Sequence, residues 1–171
     1  MGILVLIAIV VVIIWLLRRP QIPSIHACRN VKDVVMAINY GRVYPYFTGM
    51  SLKKIRQEIK SHGDIDSFER NIRMQELIGH LHGIKIPCPS DTLIDEVYLS
   101  LNNNKVISSI TIGVSCLNIY EFDFKKEMHL KFGMPTSFDN CWTWRDGYMT
   151  ITLDFANKYI NIMDERLPRK F

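Results

Sequence analysis

Hydrophobic positions along this chain fall into three regimes: an unbroken apolar run, a stretch with helical spacing, and a stretch that alternates with period two. In the second regime Val31, Val34, Val35 and Ile38 lie on one stripe behind Asn30, which predicts a helix capped by Asn30 and ended at Gly41. Tyr40, Tyr44, Tyr46 and Phe47 then crowd around Pro45 and Gly49 as an aromatic loop. Ser51 precedes LKKIRQEIK, whose Leu52, Ile55 and Ile59 form a stripe opposite Lys53, Lys54, Gln57 and Lys60, a second helix ended by Gly63. A third helix is expected from Asp66 or Ser67 to His82, with Phe68, Ile72, Leu77, Ile78 and Leu81 available for burial.

Pro87-Cys88-Pro89 closes the helical half. Beyond Asp91, Val97, Leu99 and Leu101 alternate with Tyr98 and Ser100, and Val106, Ser108, Ile110, Ile112 and Val114 continue after the turn Asn102-Asn103-Asn104, which predicts a β-hairpin. A fourth helix is read from Tyr120 to Phe132, with Phe124, Met128 and either Leu130 or Phe132 inward; Gly133 ends it and Pro135 prevents its continuation. Cys141 to Trp144 leads into Arg145-Asp146-Gly147, an Asp-Gly hairpin signal, and Tyr148 to Phe155 returns with Met149, Ile151, Leu153 and Phe155 on one side. Asn157-Lys158 turns the chain into Tyr159 to Met163. The expected fold is α+β: a mainly antiparallel sheet of about five strands with helices over one face. Either Cys141 and Thr143 or Trp142 and Trp144 face outward beside Tyr148, Thr150, Thr152 and Asp154.

The first regime, Ile3 to Leu17, carries no charged, polar or proline residue and stops at Arg18-Arg19-Pro20. With Met1 and Gly2 it is 17 residues long, a little short of the ~30 Å hydrocarbon core at ~1.5 Å per residue. Snorkelling arginines and Trp15 at the headgroup level would make up the difference. The expected layout is therefore a transmembrane anchor over 1–19, a linker over 20–29 with Pro20 and Pro23, and one α+β domain over 30–171. A cleaved signal peptide fits less well, because neither a basic start nor a small-x-small site is present. Ile25-His26-Ala27-Cys28 is a poor lipoprotein box, separated from the run by charges and prolines. Arg18, Arg19, Arg29 and Lys32 after the run favour a cytoplasmic domain. The even set Cys28, Cys88, Cys116 and Cys141 admits disulfides in an oxidising compartment, so sidedness at a bacterial inner membrane stays open.

Charge and chemistry remove options. A net charge of +4, clustered only at Arg18-Arg19 and at Arg166, Arg169 and Lys170, suits anionic lipid better than nucleic acid, for which there is no motif. There is no Gly-x-Ser-x-Gly elbow, no Gly-rich phosphate loop and no His-Glu-x-x-His. His80 and His82, two apart on a helix, point about 200° from each other and cannot chelate one metal. Cys88 with His80 or His82 is the one conceivable thiolate pair, but a cysteine between prolines reads better as buried or disulfide-bonded. No catalytic residue, metal ligand or cofactor is expected. The candidate partner-binding set is Tyr44, Tyr46, Phe47, Trp142, Trp144, Arg145 and Tyr148, residue types that dominate interface hot spots.

The layout of an N-terminal anchor, a helical first half, a hairpin, a helix ending in Lys131-Phe132-Gly133-Met134-Pro135 and a Trp144-Arg145-Asp146-Gly147 hairpin resembles that of small membrane-anchored protective proteins of bacteria and prophages. These comprise toxin immunity and superinfection-exclusion proteins. The resemblance covers layout only and transfers no site residue. It implies a non-enzymatic binder at the bilayer that blocks a toxin or phage component. The alternative is a structural or assembly subunit of an envelope complex.

Overall fold

The computed structural model describes residues 5–7, 9–10, 22–62, 65–77, 83–138 and 141–167. After a 3-10 turn at Ile25–Ala27 come helix α1 (Val31–Ala37), three two-residue strands β1 (Ile38–Asn39), β2 (Arg42–Val43) and β3 (Tyr46–Phe47), and helices α2 (Leu52–His62) and α3 (Ile65–Leu77). Strands β4 (Gly83–Pro87), β5 (Glu96–Leu101) and β6 (Ile107–Gly113) follow, then helix α4 (Glu121–Phe132) and strands β7 (Trp142–Asp146), β8 (Met149–Asp154) and β9 (Tyr159–Asp164). The main sheet has six strands in the order β4-β5-β6-β9-β8-β7, and every neighbouring pair is antiparallel.

The α+β class and the antiparallel sheet agree with the sequence, but the transmembrane helix does not. Among the described residues no helix is long and apolar enough to cross a membrane. Val5–Ile7 and Ile9–Val10 are helical and exposed, while the remainder of 1–21 lies outside the described residues. The anchor over 1–19, and with it the single-pass inner-membrane location, is therefore not supported. Hydropathy measures what a segment tolerates, and an apolar run by itself does not establish a spanning helix.

Two apolar rows cross all six strands and explain why the sheet holds its register. One is Ile86, Val97, Ile112, Ile160, Leu153 and Trp142; the other is Ile84, Leu99, Ile110, Ile162, Ile151 and Trp144. A slip of one residue in any strand would turn its apolar set outward, so burial of one face fixes the pairing. Strand β4 was not expected: a period-two signal of Ile84 and Ile86 alone is too short to stand out behind a helix. The third helix is described as far as Leu77, and the expected continuation over 78–82, including His80 and His82, lies outside the described residues.

Helix α1 begins as expected, with the Asn30 side chain accepting from the Asp33 amide at 2.9 Å. It ends earlier than expected, at Ala37, because Ile38 turns extended into β1. Gly41 instead serves the β1–β2 turn at φ +67°, where an added Cβ would lie 2.9 Å from both Met149 Sδ and Thr48 Oγ1. The small sheet is thereby packed on the start of β8.

The end of α4 joins the two halves. Lys131 Nζ donates to the carbonyls of Val35 at 2.9 Å and Met36 at 3.1 Å, and also to Ile38, closing the C-terminus of α1. Phe132, and not Leu130, turns inward, with its ring 5.3 Å from Tyr40 and 6.4 Å from Trp144. Trp144 Nε1 donates to the Gly133 carbonyl at 2.9 Å. Replacing Lys131 by Met keeps the stem but leaves those carbonyls without their donor, and should cost about 1–3 kcal/mol in denaturant unfolding. A Lys131→Met variant as stable as the parent would show that the carbonyls find another donor.

Candidate partner-binding surface

The opposite side of the sheet is built from the alternate residues of the same strands. Lys85, Tyr98, Thr111, Asn161, Thr152 and Thr143 form one registered row, and Gly83, Ser100, Ser109, Met163, Thr150 and Arg145 form the next. The first row consists entirely of exposed and half-exposed side chains, and it contains no large aliphatic residue. Tyr98 at 40% and Tyr148 at 62% exposure stand above it. Thr111 Oγ1 donates to Asn161 Oδ1 at 3.1 Å, so two central strands share a polar contact on this side.

Two hydroxyls in the second row stand apart. Ser109 and Thr150 flank Met163 on its two neighbouring strands, and both are buried. Neither Oγ has a hydrogen-bond partner among the described residues. A buried hydroxyl without a partner costs about 1–3 kcal/mol. Here that cost falls on the side of the sheet opposite the two apolar rows.

The C-terminal end of β9 is held by charge. Asp164 accepts from the Arg166 amide and Nε at 3.0 Å each and from its terminal nitrogen at 2.9 Å. The guanidinium lies 5.6 Å from the Tyr148 ring centroid. Arg145 pairs with Glu165 at 2.6 Å. The Arg166 hydrogen bonds hold the Asp164 carboxyl below the ordinary carboxylate range, against the opposing effect of burial.

The expected binding residues separate on this framework. Arg145 and Tyr148 lie at the open face. Both tryptophans face the core side: Trp144 is buried, and Trp142 is half-buried beneath Lys125, whose ammonium lies 4.9 Å from its ring and 5.0 Å from that of Phe155. Thr143 and Arg145 are therefore the outward residues of β7. Tyr46 is buried, its hydroxyl 3.1 Å from His26 Nε2. Phe47 is half-buried, with Arg42 and Lys54 over its ring at 5.8 and 5.7 Å, and Tyr44 is exposed between β2 and β3. Tyr46 and Trp144 contribute to folding and present nothing to a partner. The residues missed were Tyr98, Thr111, Thr152, Asn161 and Met163. Their period-two alternation was visible, but it identified a solvent side without revealing that six strands would bring it together.

The remaining reactive group is a thiol against an imidazole: Cys88 Sγ lies 3.8 Å from His26 Nδ1. Burial, with Asp95 and Glu96 nearby, pushes the Cys88 thiol up to about 12. It is a protonated thiol at neutral pH, not an activated nucleophile. No group of three or more His, Cys, Asp or Glu side chains suited to a metal occurs among the described residues. The chain matches no protein-family model, no curated protein and no solved structure.

The Asp164 clamp gives a pH test. Because the folded pKa is depressed, its stabilisation is complete above the unfolded value of about 4 and is lost as pH falls through the lower folded value. Denaturation midpoints measured from pH 6 to 2 should fall more steeply for the parent than for Asp164→Asn. Equal slopes would show that the clamp contributes nothing to the acid limb.

Proposed function

We propose that this is a non-enzymatic binding protein that acts by occupying an incoming protein, a toxin or phage component, through the open face of its six-stranded sheet. The observation that carries the reading is the registered row Lys85, Tyr98, Thr111, Asn161, Thr152 and Thr143, continued by Arg145 and Tyr148. Six hydrogen-bonded strands make a rigid platform, so binding would cost little ordering of the backbone. Hydroxyl and amide side chains supply paired donors and acceptors, and the tyrosines supply large contact area with few rotatable bonds. The class of partner follows the layout shared with small protective proteins, and the surface follows the geometry. The surface assignment does not depend on a membrane anchor.

The half-buried Cys88 thiol favours occupation over catalysis, because the reactive form is scarce at its contact with the His26 imidazole. A blocker needs only to outlast its target, and the interface must then be broad and preorganised. The open face meets both conditions.

The test is protection of producing cells against a panel of phages and antibacterial toxins. Tyr148→Glu combined with Thr152→Arg should abolish protection while the unfolding midpoint stays within about 0.5 kcal/mol of the parent. Tyr44→Ala, an exposed tyrosine outside the registered row, should protect like the parent. Trp144→Ala should lose protection only together with about 3–5 kcal/mol of stability. Full protection by the Tyr148/Thr152 variant would exclude this face.

A further inference from the structure

Two cysteines that the open face does not use are brought near one another by the N-terminal turn and the segment that follows β4. Cys28 follows the 3-10 turn, is buried, and directs its thiol at the Ser24 carbonyl at 3.4 Å. Cys88 follows β4, is half-buried, and contacts His26 Nδ1 at 3.8 Å. His26 is the residue two before Cys28, so one short turn supplies both a thiol and the imidazole that touches the second thiol. The chain over 93–95 splints the pair: the Leu93 amide donates to the Cys28 carbonyl at 2.9 Å, and the Cys88 amide donates to the Asp95 carbonyl at 3.2 Å. Both cysteines are free. With Cys88 donating its thiol proton to Nδ1, the imidazole carries its own proton on Nε2 and donates to the Tyr46 hydroxyl at 3.1 Å.

We propose that Cys28 and Cys88 are a reversible dithiol–disulfide couple that ties the N-terminal turn to the end of β4. The oxidant is a small-molecule disulfide of the glutathione class. Cys88, the more accessible thiol, passes its proton to His26, and its sulfur attacks one sulfur of the oxidant. A mixed disulfide forms, and the first glutathione leaves as thiolate and takes up a proton. Cys28 then loses its proton and attacks the Cys88 sulfur, forming the internal bond and releasing the second glutathione. The protein loses two hydrogens, and one oxidised glutathione becomes two reduced molecules. This couple is independent of the open sheet face, so either assignment stands or falls alone.

The surroundings set the conditions. Burial, then Asp33 and the neighbouring thiol, push Cys28 up to about 12; burial, then Asp95 and Glu96, do the same for Cys88. The other titratable groups facing Cys88 are His26 and Tyr46, and burial also holds the Tyr46 hydroxyl above the usual phenol range. Thiolate is therefore scarce at neutral pH, and exchange should accelerate about tenfold per pH unit until the thiols titrate.

The experiment uses the full chain incubated with oxidised glutathione between pH 7 and 9, followed by intact mass measurement and non-reducing peptide mapping. The expected product is lighter by two hydrogens and carries a peptide joining Cys28 to Cys88, with a rate that climbs with pH. Cys28→Ala should stop at a stable glutathione adduct on Cys88, its fold checked by circular dichroism. A persistent glutathione adduct on the parent protein, or a bridge to Cys116 or Cys141 in place of Cys28–Cys88, would overturn the proposal. The parent's peptide map decides the matter even where the alanine variant fails to fold.

Discussion

The last turn of α4 is the constraint on which the rest of the molecule depends. Three consecutive residues there make three different joins. Lys131 closes the C-terminus of α1, Phe132 fills the space between Tyr40 and Trp144, and the Gly133 carbonyl takes the Trp144 indole proton. Gly133 adopts φ +77°, a region that a β-carbon strains. Pro135 is buried directly beyond it, and Thr136 and Ser137 run along β7 through bonds to Thr143 of 2.7 and 3.2 Å. The free edge of β7 is thus partly occupied by the segment that leads into it, which removes one template for strand addition. Had the indole not found this carbonyl, a tryptophan at the sheet edge would carry an unpaired buried donor.

That join explains which parts of the fold were legible beforehand. Local signals read well: Asn30 caps α1, Gly147 takes φ +56° in the Arg145-Asp146-Gly147 turn, and the alternation of β5, β6, β8 and β9 is the alternation seen in the sheet. Non-local choices did not read. Nothing in the neighbourhood of Trp144 indicates which side of β7 faces the core, because the deciding partners, Gly133 and Ile151, come from α4's end and from β8. The end of α1 was misplaced for the same reason: Gly41 has the appearance of a helix terminator but is required by Met149, more than a hundred residues away in sequence. Strand β4 takes its identity from pairing with β5, since Ile84 and Ile86 are too few to declare a period.

The apolar run at the start of the chain overreached in a different way. Its composition suited a membrane span although its length fell a little short, and among the described residues no helix is long and apolar enough to cross one. Composition constrains the environments a segment can enter, whereas spanning also requires a continuous helix of sufficient length. The candidate site was affected less by this error than by aromatic counting. Tyrosines and tryptophans entered the candidate set together, with the side of β7 left open, and Tyr46 and Trp144 each have a hydrogen-bonded polar tip, which is what permits their burial.

The open face and the thiol pair differ in what they ask of the fold. The face is shaped by the same pairings that bury the core: every outward residue in the row from Lys85 to Thr143 is set by an inward neighbour whose burial fixes the register. Its geometry is therefore as rigid as the sheet. The residual weakness lies at Ser109 and Thr150, whose hydroxyls are satisfied neither by the protein nor by exposure. Either oxygen replaced by a methyl group would relieve the folded chain, so their presence is not explained by stability.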